Sequence, residues 1–418
     1  MTQPVLLLVE SNTTGTGRQF ARQARALGIQ PVLLCTDPGR YPYVAEDDVR
    51  ALVVDTADEA AVLTAARRLQ EQAPIAGVTS SSEYYVATAA ATARALGLPG
   101  PDADAVRECR DKARQRQRLH EADVAVPRHE RVRSADEAVA AALRIGYPVV
   151  LKPVQGSGSL GVRLCGDAEE VSAHAAALTS AAVNERGVPV PRDVLVEEYL
   201  RGAEYSVEVF GHAALVVVAK HLGPLPDFVE LGHDVPAPIS ADAAARLRDQ
   251  AVHAVKALGL GWGAAHVELR MDGHDVRVVE VNPRLAGGMI PELVRHALGI
   301  DLVACQVGAA VGAPATDTPP ATGRSAAIRF LTSDRPGSIA DRTRTERALE
   351  TARSVPHTET AVLYRAPGDP IEPARDFRGR LGHVIASAAG ASLAGASADE
   401  ALRELAGALA PAPEEARG

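Results

Sequence analysis

Residues 264–284 read AAHVELRMDGHDVRVVEVNPR, a pattern that predicts a β-hairpin with acidic side chains on its strands. Glu268 and Glu280 stand on the two predicted strands, on either side of the turn MDGHD, and Asn282 follows on the second strand. Carboxylates at opposed positions of a hairpin converge, and the Asn amide adds a neutral oxygen. Such oxygens suit Mg²⁺ when nucleotide phosphates and water complete its coordination. The sequence therefore predicts Mg²⁺ ligation by Glu268, Glu280 and Asn282.

A hairpin also commonly carries charges on its solvent-facing side, and this is the structural alternative for the same residues. It does not explain why Glu280 stands between apolar residues in VVEVN, which is a pattern typical of a buried strand. We therefore favour the metal interpretation.

The composition describes an ordinary globular protein of 418 residues, long enough for about two to four domains. A net charge of −9 argues against a nucleic-acid partner, because such a partner requires a basic face. The four cysteines lie far apart without a CxxC pair, which favours free thiols in a reducing compartment. The start has no basic leader, and no apolar run approaches the roughly 18 residues of a membrane span. A cytoplasmic protein without a membrane partner is expected.

Four regions follow from the alternation of apolar runs with amphipathic stretches. Residues 4–100 read as βαββαβα, which predicts a parallel sheet with helices on its faces. The predicted regions are a Rossmann-like domain (1–101), a first lobe (102–200), a second lobe with the metal hairpin (201–315) and a C-terminal α+β segment (324–412). A Pro/Thr/Ala-rich stretch near 313–323 is interpreted as a linker.

Several local elements are also predicted. One helix should run from about Asp104 to Glu121, and another from PELVRHALG through LVACQVGAAVG. DVLVEEYL, EYSVEVFG and HAALVVVAKH should be antiparallel strands with short connections, and the C-terminal segment should contain one terminal helix.

The sequence Gly15-Thr16-Gly17 after the first strand has part of a dinucleotide fingerprint, and Asp37 lies at a suitable distance beyond it. Phe20 stands where the third glycine of that fingerprint is needed for contact between helix and strand. We therefore expect a Rossmann-like domain that does not bind NAD.

A second glycine-rich segment, YPVVLKPVQGSGSLGV, runs from a predicted strand that ends in Lys152 into a glycine-rich loop. Glycines allow backbone N–H groups to approach phosphate oxygens, and serine hydroxyls add donors. The segment is not a P-loop, since its lysine precedes the loop and no GK[ST] follows. A glycine-rich hairpin tip is the alternative, but the combination favours a phosphate flap at residues 155–161. Its predicted phosphate-binding residues are Lys152, Gly156, Ser157, Gly158 and Ser159.

The segment DVLVEEYLRGAEYSVEV also fits a nucleotide. The backbone of Glu197, Glu198 and Leu200, at the end of a strand, could read an adenine edge. Glu204, at the start of the next strand, could accept hydrogen bonds from ribose hydroxyls. A solvated acidic turn explains this segment nearly as well when it is judged alone.

Taken in order, DKARQRQRLHEADVAVP, YPVVLKPVQGSGSLGV, VEEYLRGAEYSVEV, AAHVELR and VVEVNPRLAGG resemble the ATP-grasp superfamily. Within it, the chain is most similar to carboxylate–amine ligases of the bacilysin-type L-amino-acid ligase group. The resemblance covers essentially the whole chain. It implies a fold of mixed α/β and α+β class, in which an N-terminal Rossmann-like domain precedes the ATP-grasp lobes and a C-terminal α+β segment follows. It also implies ATP and Mg²⁺ (or Mn²⁺) as cofactors, with two ions expected.

The resemblance assigns nucleotide contacts to four residues. It implies that Lys112 and Lys152 hold ATP phosphates, that Glu204 holds the ribose and that Lys220 is a further phosphate contact. From its own segment, RDKARQRQRL, Lys112 would be only one cation on a basic exposed helix.

The resemblance also implies a substrate site. Arg284 should face the acyl phosphate, and the segment FVELGHDVPAP should place Glu230 and His233 near the amine substrate. A loop histidine is otherwise usually solvated, so two interpretations of His233 stay open. Glu83 could meet a substrate ammonium, or could simply be an acidic residue at a helix N-terminus. Gly287-Gly288 stands where some relatives carry bulky residues that narrow the acyl pocket. These two glycines therefore bear on which donor amino acid fits.

The implied activity is an ADP-forming ligase that joins the carboxylate of one amino acid to the amine of another through an acyl phosphate. The product would be a dipeptide with an α or a γ-glutamyl linkage, plausibly in specialised metabolism. Lys152, Arg284 and His233 are the expected catalytic residues. The partners would be small-molecule amino acids and, in a homodimer, a second copy of the chain. Two alternatives stay open: a purine-pathway or bicarbonate-activating ATP-grasp ligase, and a non-catalytic ATP-binding scaffold.

Overall fold

The computed structural model describes residues 3–12, 16–180, 183, 191–313 and 322–411. The first of its sheets, the N-terminal sheet, is parallel, with strand order β3-β2-β1-β4. VLLLV and QPVLLC are buried along nearly their whole length, because helices cover both faces of a parallel sheet. Its strands are β1 (Val5–Val9), β2 (Gln30–Cys35), β3 (Arg50–Val53) and β4 (Ile75–Thr79), and its helices are α1 (Thr16–Ala26), α2 (Tyr43–Glu46), α3 (Glu59–Gln70) and α4 (Val86–Ala95).

The predicted Rossmann-like layering of this region is confirmed. Phe20 is buried in the core between α1 and the central part of the molecule, so the position that a dinucleotide fingerprint reserves for glycine holds a large apolar ring. Gly15 lies outside the described residues.

The first lobe is a four-stranded antiparallel sheet, in the order β5-β8-β6-β7, with helices on one side. Two helices, α5 (Ala103–Cys109) and α6 (Lys112–Glu121), lead into it. The prediction of one helix from Asp104 to Glu121 is wrong, because Asp111 caps a new helix by accepting hydrogen bonds from the backbone of Ala113 and Arg114. The remaining elements are β5 (His129–Val132), α7 (Ala135–Ile145), β6 (Val149–Pro153), β7 (Arg163–Cys165), α8 (Ala168–Ser180) and β8 (Val194–Glu198).

The central sheet has eight strands in the order β13-β12-β9-β10-β11-β14-β18-β16. Before residue 314 it comprises β9 (Ala203–Phe210), β10 (Ala213–Leu222), β11 (Glu230–Val235), β12 (Ala264–Asp272) and β13 (Asp275–Asn282), with helices α9 (Ala241–Ala257), α10 (Ile290–Leu298) and α11 (Leu302–Ala310). The antiparallel pairing predicted for EYSVEVFG and HAALVVVAKH is confirmed, whereas DVLVEEYL does not join them. It forms β8 of the first lobe, so the chain changes sheets at residues 199–202.

The helix predicted from PELVRHALG through LVACQVGAAVG is two helices that meet at an angle of 108°. Gly299 ends α10 in a left-handed conformation, and Asp301 caps α11 by accepting from Ala304 N. Among the described residues no single helix is long and apolar enough to cross a membrane, and this bent pair meets the length and composition criteria only when its halves are taken together.

The C-terminal region, residues 322–411, extends the central sheet through the pairing of β14 with β11. Its elements are β14 (Ser325–Leu331), β15 (Gly337–Ile339), α12 (Arg342–Ser354), β16 (Thr358–Leu363), β17 (Pro370–Ile371), β18 (Gly382–Ala388), α13 (Ala391–Leu405) and β19 (Leu409–Pro411). Only one helix was expected here, and α12 was missed because RTRTERALETARS buries little beyond Thr345, Ala348 and Ala352. The central part of the predicted linker lies outside the described residues.

Candidate active site

The β12–β13 hairpin forms the floor of the site. Glu268 pairs directly with Glu280, and His266 pairs with Asn282, so the predicted opposition of the two carboxylates is confirmed. A register shift follows Glu268, which is a bulge of the kind that commonly re-aims side chains next to active sites.

A large cleft of about 910 Å³, counting its open mouth, lies between the first lobe and the central sheet. It brings together nearly all of the residues predicted to contact nucleotide or metal. Its lining includes Lys112, Lys152, Gly156, Ser157, Gly158, Ser159, Glu197, Glu198, Leu200, Glu204, Glu268, Glu280, Asn282 and Arg284. Lys220 is not among the lining residues.

An adjoining cavity of about 1230 Å³, again counting its mouth, brings together the predicted substrate residues. It is lined by Glu83, Glu230, His233, Gly287 and Gly288, together with side chains that the sequence analysis did not single out: Asn12, Arg40, Ser81, His266, Phe377 and Arg380. The two spaces share Glu230, Glu268, Arg284 and the flap residues Ser157 and Gly158, so they meet above the hairpin.

Both hairpin carboxylates are held by cations. Lys112 Nζ lies 2.9 Å from Glu280 Oε1, and Lys220 Nζ lies 3.0 Å from Glu268 Oε1. Burial raises the pKa of Glu268, but Lys220 and His266 outweigh it and hold that pKa far below its usual range. Glu268 is therefore ionised at neutral pH, as a metal ligand must be.

The donor set fits Mg²⁺ better than a softer metal. Within the described ranges no group of three or more His, Cys, Asp and Glu side chains is arranged to hold a metal by itself. Two carboxylates and the amide of Asn282 are instead the sparse oxygen set that Mg²⁺ uses when phosphates and water supply its other ligands. This chemistry supports Mg²⁺ ligation by Glu268, Glu280 and Asn282, which stays a prediction.

Lys220 lies at the centre of a carboxylate cluster. Its Nζ contacts Glu230 at 2.8 Å, Glu204 at 2.9 Å and Glu268 at 3.0 Å. Burial lowers the pKa of Lys220, but the three carboxylates raise it well above its ordinary value. An ammonium has three N–H donors, so a contact to phosphate would require Lys220 to exchange one of these partners.

Lys152 belongs to a second buried cluster. Its Nζ lies 2.5 Å from Glu197 Oε2, while Arg116 Nε lies 2.6 Å from Glu197 Oε1. Burial lowers the pKa of Lys152, and Glu197 opposes this shift. The acidic segment is therefore not a solvated turn at Glu197.

Helix α6 was wrongly expected to be exposed, because its sequence is dominated by charged and polar residues. Lys112, Gln115, Arg116 and Leu119 are all buried, and their spacing of three and four residues places them on one face. The same spacing was the available signal for Arg116, which sequence reasoning missed. Through Lys112, α6 reaches both the hairpin and the flap, since Lys112 Nζ also donates to Gly156 O at 2.8 Å.

The predicted adenine segment is fixed by arginines. Arg270 donates to Leu200 O at 2.7 Å and to Glu204 Oε2 at 3.0 Å, and its guanidinium lies 5.4 Å from the Tyr199 ring centroid. Glu198 accepts from Arg128 at 3.2 Å. These contacts hold the segment in place beside the cleft, and its adenine and ribose contacts stay predictions.

Glu83 and Arg284 form an ion pair that joins the N-terminal region to the end of the hairpin. Burial raises the pKa of Glu83, but Arg284 and Arg110 outweigh it and lower that pKa. Arg284 also donates to Leu285 O at 2.9 Å. Glu83 is therefore engaged with an arginine rather than with the start of α4, and its contact with a substrate ammonium stays a prediction.

His233 is neither in a loop nor solvated. It lies within β11 with 1% of its surface exposed, and neither ring nitrogen has a hydrogen-bond partner within the described part of the chain. Burial lowers the pKa of His233 to about 3, so the ring is neutral at physiological pH. A Cβ atom at Gly288, whose φ is +57°, would lie 2.6 Å from His233 Nε2, whereas one at Gly287 would meet no atom within 4 Å.

His266 lies beside the carboxylates and was not predicted from the sequence as a residue of the site. His266 Nδ1 lies 2.8 Å from Glu208 Oε1 and its Nε2 lies 3.1 Å from Glu268 Oε1. Burial lowers the pKa of His266, but Glu208 and Glu268 raise it to about 9. The two-residue period of a strand places His266 on the same face as Glu268, so this signal was available.

Arg380 of the C-terminal region lies 2.8 Å from Glu230 Oε2 and 3.7 Å from the centroid of the Phe330 ring. No local pattern in the sequence indicates that contact, because it depends on how the C-terminal region packs against β11.

Three family models match the chain. They are described as ATP-grasp N-terminal domain (residues 21–100), ATP-grasp domain (residues 145–292) and L-amino acid ligase C-terminal domain 2 (residues 329–407).

Among related proteins, the uncharacterized protein y4rH of Sinorhizobium fredii is 36% identical over 408 residues, which cover 97% of this chain and 83% of that protein. Alanine–anticapsin ligase of Bacillus subtilis is 28% identical over 54% of this chain and 52% of its own length. Carnosine synthase 1 of Gallus gallus is 30% identical over 72% of this chain and 34% of its own length. The chain thus spans about half or less of the length of these two ligases.

Two solved structures show the same fold. The L-amino acid ligase from Bacillus licheniformis has a TM-score of 0.79 at 21% identity, covering 97% of this chain and 98% of that one. The carboxyaminoimidazole ribonucleotide synthase from Aspergillus clavatus, solved with ATP, has a TM-score of 0.74 at 17% identity, covering 96% and 98%.

Proposed function

The chain belongs to the ATP-grasp family of carbon–nitrogen ligases, and we propose that it joins the carboxylate of one amino acid to the amine of another. One observation carries this proposal. The cavity that adjoins the large cleft is walled partly by Phe377 and Arg380, which lie in the region matching L-amino acid ligase C-terminal domain 2. The part of the chain characteristic of amino-acid ligases therefore reaches the proposed substrate space.

The charges of this cavity suit amino acids. Glu83 and Glu230 could receive an ammonium group, and Arg284 and Arg380 could receive a carboxylate, because each is a natural partner of the opposite group. In this structure the four side chains pair with one another as Glu83–Arg284 and Glu230–Arg380. A bound amino acid would replace these internal ion pairs with equivalent ones.

The proposed reaction activates the donor carboxylate. Transfer of the γ-phosphoryl group of ATP to the carboxylate gives an acyl phosphate and ADP, and the amine then displaces phosphate to form the amide. Lys112 and Lys152 would neutralise phosphate charge, and Arg284 would stabilise the oxyanion that forms when the amine attacks. His233 is neutral and a weak base, so we propose that it orients the amine and does not accept the proton that the amine loses.

We propose that ATP occupies the large cleft and that Glu268, Glu280 and Asn282 hold Mg²⁺, with Mn²⁺ as a substitute and two ions in total. Bound there, the ions would neutralise phosphate charge and orient the transferred group. The residues of the chain would provide the remaining positioning, through Lys112, which donates to Gly156 O of the flap, and Arg284 at the junction of the two spaces.

Two alternatives are weaker. A purine-pathway or bicarbonate-activating ligase is supported by likeness of fold alone, at 17% identity for the Aspergillus synthase. A non-catalytic scaffold would not need both lysines and all three predicted metal ligands to face one cleft. The cytoplasmic location and the homodimer stay predictions.

The decisive experiment is a screen for ADP release with the purified full chain against pairs of amino acids, including glutamate and small nonstandard ones. Mass spectrometry of the products would identify an amide and distinguish an α from a γ linkage. ADP release that requires two amino acids is the expected result. Release with bicarbonate or a ribonucleotide instead would establish the first alternative, and ATP binding without any turnover would establish the scaffold.

A further inference from the structure

A short 3₁₀ helix of the C-terminal region, Phe377–Gly379, lies directly against the flap. A Cβ atom at Gly158 would lie 2.8 Å from Phe377 Cε1 and nearer still to Cδ1, so the aromatic ring fills the space beside that glycine. Gly158 also has φ of +66°, which disfavours any other residue. The flap tip and Phe377 are therefore in van der Waals contact, although they lie in separate regions of the chain.

The Phe377 turn is held together by local contacts. Asp376 caps it by accepting from Arg378 N at 2.9 Å, and the Arg378 guanidinium closes on the same carboxylate at 2.7 Å. A Cβ atom at Gly379 would lie 2.6 Å from Ala374 Cα, so the turn is folded tightly on itself. The ring of Phe377 is thus presented to the flap by a turn that has its own hydrogen bonds.

The same turn is anchored to the hairpin cluster. Arg380, one residue beyond the turn, lies 2.8 Å from Glu230 Oε2, and Glu230 Oε1 lies 2.8 Å from Lys220, which in turn contacts Glu268. A chain of ion pairs therefore connects the turn that carries Phe377 to the predicted metal ligand Glu268.

The flap is also held by α6, the helix that leads into the first lobe. Lys112 Nζ donates to Gly156 O at 2.8 Å and contacts Glu280 at 2.9 Å. Lys112 and Phe377 thus contact positions only two residues apart in the flap, at the place where Ser157 and Gly158 line both the cleft and the cavity.

We propose that Phe377 is a positioning residue that holds the flap closed over this junction and so keeps water from the acyl phosphate. The proposal rests on the proposed function. If water attacked the acyl carbon in place of the amine, the C–O bond to phosphate would break. The products would be the starting carboxylate, inorganic phosphate and a proton. ATP would then be consumed without amide formation, so a loosened flap lowers the coupling between the two.

The first test measures ADP and amide in parallel for the wild type, Phe377→Ala and Phe377→Leu. Phe377→Ala should raise the ratio of ADP released to amide formed several-fold, and Phe377→Leu should give an intermediate ratio because it keeps part of the apolar contact. Leu393→Ala is a matched control, since it removes an exposed apolar side chain from α13 of the same region. An unchanged ratio in Phe377→Ala, with the wild type forming amide, would overturn the proposal.

The second test does not require amide formation. Hydrogen–deuterium exchange is followed in the peptide that covers residues 154–162, with and without a nonhydrolysable ATP analogue. Faster exchange of this peptide in Phe377→Ala, and not in Leu393→Ala, is expected while exchange in the β14 and β18 peptides stays unchanged. Equal flap exchange in wild type and Phe377→Ala would refute the contact even if the ligase reaction itself were never found. If the wild type forms no amide but the flap loosens as expected, the proposed function fails and the positioning role of Phe377 stands.

Discussion

Glu268 lies directly opposite Glu280 on the hairpin, and each carboxylate contacts a lysine that arrives from a different element. Lys112 comes from α6, ahead of the first lobe, and Lys220 comes from β10 of the central sheet. Two like charges at opposed positions of a sheet would repel each other without such partners. The two lysines therefore offset this repulsion before any cation or nucleotide binds.

Replacing Glu280 with Gln should abolish turnover while leaving the fold intact. The amide keeps the shape of the side chain but removes the charge that would bind Mg²⁺, and we expect ADP release to fall by roughly 100- to 1000-fold or more. Steady-state ADP release at saturating ATP and Mg²⁺ is the measurement. Glu346→Gln, on the solvent-exposed face of α12, is the control. Undiminished activity of the Glu280 variant would reject the metal assignment.

Replacing Lys220 with Met should destabilise the protein strongly. Lys220 is buried, and its loss leaves Glu204, Glu230 and Glu268 without their shared cation. Removing one partner of a buried ion pair typically costs about 3–5 kcal/mol. Urea unfolding would give the free energy of unfolding. Lys256→Met, on the exposed face of α9, should differ little from wild type, and a similarly small change for Lys220→Met would contradict the role of the cluster.

The stability of the protein should decrease as the pH rises from about 6.5 towards 9 because of His266. Its pKa is raised to about 9 in the folded protein by Glu208 and Glu268, against the desolvation that lowers it. A folded pKa above the unfolded value near 6.5 means that the folded state binds more protons in this window. The stabilisation is full below pH 6.5 and is lost as the pH passes about 9.

The measurement is the free energy of unfolding at several pH values, with a slope from His266 of at most about 1.4 kcal/mol per pH unit. His266→Gln should lack this component of the slope. Identical pH profiles for His266→Gln and wild type would show that His266 does not titrate in this way.

Adding a methyl group at Gly288 should have a larger effect on stability than adding one at the neighbouring Gly287. The Cβ atom of Gly288→Ala would meet His233 Nε2 at 2.6 Å, and its φ of +57° adds a cost of about 1 kcal/mol. At Gly287 no atom lies within 4 Å of the added Cβ. Thermal and urea unfolding of the two single variants would compare these costs. Equal free energies of unfolding would mean that His233 does not fill the space beside Gly288.

The hairpin could be predicted because its signal is local: alternation places Glu268 and Glu280 on their strands, and the turn between them sets the register. The break at Asp111 also had a local signal, an acidic N-cap, which the continuous run of polar residues obscured. The role of Arg380 had none, because its partner Glu230 is brought to it only by the packing of β14 against β11. The state of His233 likewise depends on burial, which the residues around it in the sequence do not report.

The antiparallel pairing of β11 with β14 limits where the chain can be truncated. β11 carries Glu230 and His233, and along its far edge it pairs with β14 of the C-terminal region. A truncated protein that stops before residue 325 would leave β11 as a bare edge strand, with unsatisfied backbone groups that invite aggregation. The last quarter of the protein is therefore needed to cover the edge of β11, the strand that carries the proposed substrate residues Glu230 and His233.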